Sequence, residues 1–220
     1  MSELTPKAEE TRQRILEAAL SLFEEQSFDT TTLRQIAARA DVSLGLVYRY
    51  FDAKESFVLA LYERLSHAFE AAARDHMPEE RWPERFLFCL RTSLRVLGPH
   101  RDTLRSITGM LLKDARDLYP PENPFSQQHV QSVFREAVLY ARFAPDEAQA
   151  TQLGRHLYLI HLAVVLFWLV DRTPDQQATA RLLDQMQRWM PMLAIAATTP
   201  VFRELADGIA DAVLGPEPEI

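Results

Sequence analysis

One cysteine, Cys89, is all that 220 residues carry of thiol chemistry. A lone thiol excludes an internal disulfide framework and fits a reducing cytoplasm. Its expected role is that of a small buried apolar side chain. Glycine is scarce as well, with 6 residues, and long alternating runs of valine, isoleucine and threonine are missing. A sheet therefore has little support, and the whole chain reads as all-α. No glycine-rich phosphate loop, no G-x-S-x-G elbow and no H-E-x-x-H occurs, so an enzyme is not expected. His156 and His161 have no cysteine or carboxylate at metal-ligand spacing, which argues against a metal site and leaves no cofactor to expect. The most apolar run, Leu157 to Val170, is 14 residues long and contains His161. That is short of the ~20 needed to cross a bilayer, so it reads as a buried helix. The opening, MSELTPKAEETRQR, is polar and charged and does not read as a secretory leader.

Positive charge is also in short supply: 24 Lys and Arg against 31 Asp and Glu leave a formal net charge of −7. Residues 1 to 55 alone hold seven basic and ten acidic side chains, net −3. Any surface here that binds phosphates must do so by local placement of charge and by directed hydrogen bonds. A shallow salt dependence is then expected.

What the sequence does have is concentrated at residues 30 to 55, TTTLRQIAARADVSLGLVYRYFDAKE. Thr31 or Thr32 can cap a short helix whose Leu33, Ile36, Ala37 and Ala40 recur at helical spacing. Asp41 sits where the chain must reverse, and Asp tolerates a left-handed backbone. Val42 plugs that turn, and Ser43 can cap a second helix. In this second helix Val47 and Phe51 should point inward. Leu44, Gly45, Tyr48, Arg49 and Tyr50 are left outward, with Lys54 just beyond. Glycine inside a helix costs roughly 1 kcal/mol against alanine, which makes sense where another backbone must come close. Two tyrosines and an arginine outside a short helix suit phosphates and base edges in a DNA major groove.

The segment closely resembles the DNA-binding domain of the TetR family of transcriptional regulators over about residues 8 to 68. The agreement lies in Ile15, Ala18, Ala19, Leu22 and Phe23, in Thr31, Thr32, Ile36 and Ala37, and in Val42, Ser43, Gly45, Tyr48, Tyr50, Phe51, Lys54 and Glu55. Asp41 departs from the glycine usual there, and Tyr50 from the common histidine. The resemblance implies that Thr32, Ser43, Leu44, Gly45, Tyr48, Tyr50 and Lys54 lie at double-stranded operator DNA. Arg34, Arg49 and the Thr31 end of the same surface would join them. It implies two domains, 1–52 for DNA and 53–215 for ligand binding and dimerisation, and a regulator that is most often a repressor. A helical interaction module that keeps the motif without reading DNA is the alternative.

Beyond residue 53 the pattern predicts a helical bundle. Helices are expected from Ala53 to His76, Arg81 to Leu97, Thr103 to Leu118, Phe125 to Phe143, Asp146 to Val170, Asp175 to about Ala197, with Pro191 either kinking it near Met190 or ending its regular part, and Val201 to Leu214. The resemblance implies a homodimer through the helices around 153–170 and 175–197. Their apolar surplus agrees, with Leu157, Ile160, Val164, Phe167 and Trp168 expected outward and Leu159, Leu162, Leu166 and Leu169 inward. A small-molecule inducer of the family would sit in this domain. The aromatic, sulfur and single polar side chains Phe86, Cys89, Leu90, Met110, Phe134, Tyr158 and His161 are its candidate contacts.

Overall fold

The computed structural model describes residues 5–105 and 124–214, with side chains of the helix that begins at Pro124 described from 128 onward. Met110, and most of the helix expected from Thr103 to Leu118, lie outside these. The described residues are all-α, with no strand among them. They divide into two compact units, residues 5–65 with 100–105 and residues 66–99 with 125–214.

In the first unit, α1 (Pro6–Gln26) opens on Thr5, whose hydroxyl accepts the Ala8 amide, and on Pro6, whose fixed φ suits the first turn. Its apolar positions Ile15, Ala19, Leu22 and Phe23 are buried against α2 (Leu33–Arg39), α3 (Leu44–Tyr50) and the start of α4 (Glu55–Asp75). Full burial of each large apolar side chain contributes about 1.5–3 kcal/mol. Phe51 closes the cluster as the C-cap of α3, its ring stacked 4.0 Å from that of Phe57. Phe28 plugs the loop after α1, 5.0 Å from Phe23. Asp41 takes the expected left-handed backbone, φ 53°.

The second unit holds the end of α4 from Ser66, then α5 (Trp82–Leu97), α6 (Pro124–Leu139), α7 (Glu147–Val170), α8 (Gln177–Ala196) and α9 (Pro200–Leu214). Phe69, Phe86, Leu90, Phe134, Val138, Leu157 and Tyr158 form its core. Helices α6 and α7 meet at Gly154, where a Cβ would lie 2.6 Å from the Arg135 Cα. α6 stops at Leu139, short of the expected Phe143. Phe143 is left-handed at φ 58°, and the Arg142 amide bonds the Glu80 carbonyl at 2.9 Å. α8 likewise starts at Gln177, because Asp175 and Gln176 have φ 50° and 52°. The turn is organised by the buried Asp171 carboxylate, which accepts the amides of Thr173 at 2.9 Å and Thr179 at 2.8 Å, and both hydroxyls. These bonds hold its pKa well below the ordinary carboxylate range. Pro191 does not end α8 as one expectation had it: the helix runs past it as far as Ala196.

The faces of α7 differ from the expected ones. Of the residues expected outward, Ile160 and Phe167 are exposed but Leu157, Val164 and Trp168 are buried; of those expected inward, Leu169 is buried but Leu166 is exposed. A helix apolar on nearly all sides carries too little asymmetry for periodicity to assign its inner face. By length and composition α7 could also span a membrane, the one such helix among the described residues. Its inner face is packed within this unit through Gly154, Leu157, Tyr158 and Val164.

Candidate nucleic-acid interface

Local capping builds the helix-turn-helix. The Thr32 hydroxyl accepts the Gln35 amide at 3.3 Å, while the Gln35 side chain takes the Thr32 amide at 2.8 Å, a reciprocal capping box. Ser43 caps α3 by accepting the Leu46 amide at 3.2 Å. Val47, fully buried, and Phe51 anchor α3 from behind. With those two inward, helical spacing turns Gly45, Tyr48 and Arg49 to solvent, and Tyr48 is 53% exposed. Leu44 and Tyr50 are half-buried at the edges of that face.

Among the described residues, Arg34 and Arg49 are exposed and make no hydrogen bond or ion pair, so their guanidinium groups are available. Arg39 is differently placed. It grips Glu25 with two parallel bonds of 2.8 Å, and that grip, with help from Ser21, lowers the Glu25 carboxyl to about 2. Its charge is thereby matched by an acid of α1. Gly45 has nothing within 4 Å of the position a Cβ would take. Packing among the described residues therefore does not require glycine there.

Two expected contacts are placed differently. Thr31 is 1% exposed, and its hydroxyl donates to the Ser27 carbonyl at 2.7 Å and accepts from Gln26 at 3.2 Å. It is a packing residue that closes the α1–α2 loop, and Thr32 next to it is the surface threonine. Lys54 donates to the carbonyls of Phe28 at 2.8 Å and Asp29 at 3.2 Å, with its ammonium 4.6 Å from the Phe28 ring centre. One of its three N–H donors is left for an outside acceptor.

In the second unit, Phe86, Cys89, Leu90, Phe134, Tyr158 and His161 come together, all buried. His161 lies 4.9 Å from Phe134, ring to ring, and its Nε2 meets the Ser93 hydroxyl at 2.8 Å. Its Nδ1 is buried with no hydrogen-bond partner among the described residues. Burial lowers its pKa to about 3 and pushes the Cys89 thiol up to about 12, so the thiol stays protonated and unreactive. None of the six lines the open apolar cavity of about 210 Å³, which lies among Trp82, Leu153, Ile160, Met190 and Phe202. His156 does have a carboxylate partner: Asp207 of α9 lies 2.7 Å from its Nε2, a pairing too distant in sequence for spacing to reveal.

Residues 15–61 match the model of the bacterial regulatory proteins of the tetR family. The chain is 42% identical over 62 residues to the HTH-type transcriptional regulator HbdR of an Aromatoleum strain, covering 28% of this chain and 27% of that protein. It is 44% identical over 64 residues to the HTH-type transcriptional regulator SrpR of Pseudomonas putida, covering 29% and 30%. The matches thus span less than a third of either relative. In structure, a tetR-family transcriptional regulator from Streptomyces coelicolor superposes with a TM-score of 0.62 at 22% identity, covering 96% of this chain and 91% of that one. Residues 15–61 thus carry a helix-turn-helix that matches the tetR-family model, built into an all-helical fold shared with that solved structure.

Proposed function

We propose that the chain is a sequence-specific DNA-binding transcriptional regulator, most often expected to repress, acting in the cytoplasm. The observation that carries the reading is the outer face of α3. There Tyr48 and Arg49 stand exposed beside an unfilled space at Gly45, with Arg34 also exposed on α2. Phenol and guanidinium groups without partners among the described residues are suited to base edges and phosphates. Thr32, Ser43, Leu44, Tyr50 and the third N–H of Lys54 would complete the contact.

One recognition helix covers only a few base pairs, so specific binding calls for two copies. The homodimer is supported by apolar side chains that the monomer leaves uncovered. These are Ile160, Phe167 and Val170 on α7 and Trp189, Met192 and Ile195 on α8. Release by a small hydrophobic or amphipathic inducer is supported by the His161 Nδ1 without partner among the rings of Phe69, Phe134 and Tyr158. Domains divided near residue 52 would separate these tasks.

A gel-shift with the fragment upstream of the protein's own gene tests the reading. Saturable retardation that Tyr48→Ala weakens about 100-fold is expected. Failure of the wild-type chain to retard any genomic fragment at low salt would favour a helical interaction module.

A further inference from the structure

His67 and Glu70 lie one turn apart on α4, and His129 faces them from α6. The Glu70 Oε2 is 3.0 Å from the His129 Nδ1 and 3.7 Å from the His67 Nδ1, and the three ligand atoms all lie within 4.8 Å of one another. At zinc–nitrogen and zinc–oxygen lengths near 2.0–2.1 Å, a tetrahedral site sets its ligands about 3.3 Å apart. Two of the three separations bracket that value, the third is no more than 4.8 Å, and His67 is exposed.

The surroundings orient the carboxylate. Arg74 bonds the other Glu70 oxygen, Oε1, and leaves Oε2 to the two imidazoles. It also grips Glu136 with bonds of 2.8 and 2.6 Å, so its own positive charge is matched. With neutral imidazoles the five side chains carry a net charge of −1, which favours a cation. A carboxylate ligand held by its own hydrogen-bond partner is the usual outer support of a metal centre.

We propose that His67, Glu70 and His129 form a binding site for a divalent transition cation of the zinc class, with a fourth position open to water or an effector group. Imidazole and carboxylate together suit zinc and its neighbours better than magnesium or calcium. Bound metal would fasten the second half of α4 to α6. This site does not depend on the operator reading, because its test reads metal uptake alone.

The untagged chain, stripped with a chelator and dialysed, is titrated with zinc chloride in competition with a chromophoric chelator. One zinc per chain is expected. His67→Ala, His129→Ala and Glu70→Gln should each weaken binding at least tenfold, and Cys89→Ser should leave it unchanged. Zinc should raise the unfolding temperature of the wild type and not of His67→Ala, whose exposed position keeps the variant folded. No saturable uptake, or equal uptake by wild type and all three site variants, would overturn the site.

Discussion

The outer face of α3 and the outer faces of α7, α8 and α9 are incomplete in opposite ways. α3 presents phenol, guanidinium and a bare backbone at Gly45, all of which ask for a polar partner. The other three present Phe167, Trp189, Ile195 and the row Val201, Leu205, Ile209 and Val213, which ask for apolar protein surface. Monomeric proteins rarely leave apolar patches beyond a few hundred Å² open to water. The chemistry a surface leaves unmatched thus points to the chemistry of its partner, even where net charge misleads. A chain of net charge −7 can still carry a local face built for nucleic acid.

The largest expected effect lies on the apolar side. Phe167→Glu places a charge where a second copy should dock, and a thousandfold or greater weakening of dimerisation is expected, from the several kcal/mol that an unpaired buried charge costs. An unchanged sedimentation coefficient would remove α7 from the interface. The polar side comes next. Tyr48→Ala should lose about 100-fold in operator affinity, from ~1–3 kcal/mol per contact in each of two half-sites, with the dimer intact. Tyr48→Phe sharpens this: retained binding would mean that the ring, not the hydroxyl, makes the contact.

A smaller effect concerns the core. His161, held neutral by burial, binds no proton in the fold between its ordinary value and about 3, whereas the unfolded chain does. Stability contributed by its neutral form is therefore full above about 6.5 and declines as pH falls through that value. Urea unfolding at pH 7.5 and 5.5 should show wild type losing about 1 kcal/mol more than His161→Gln over that step. Equal losses would mean that this imidazole is hydrated in the fold.

The smallest effect separates two arginines. Arg49→Ala should lower the slope of log affinity against log salt by about 1 for each copy bound, and Arg39→Ala should leave it unchanged. Arg39 is already matched by Glu25. Equal slopes for the two variants would remove Arg49 from the phosphates.

Local chemistry was legible in the sequence, and long-range pairing was not. The caps at Thr32 and Ser43, the reversal at Asp41 and the inward Val47 and Phe51 depend on neighbours within a few residues, and these stand as expected. The burial of Thr31 and the carbonyl bonds of Lys54 were not legible because their partners, from Leu22 to Asp29, come from the preceding loop and helix end. The α7 faces were ambiguous because Phe167 and Trp168 are equally apolar, so only packing could distinguish them. The approach of His129 to Glu70 joins helices with a whole stretch of bundle between them, and no spacing rule reaches that far.

Gly45 sets two selections against each other. Alanine there meets no obstacle among the described residues and should raise thermal stability by about 0.5–1 kcal/mol. A screen for heat resistance would therefore keep Gly45→Ala, while a screen for promoter control would discard it.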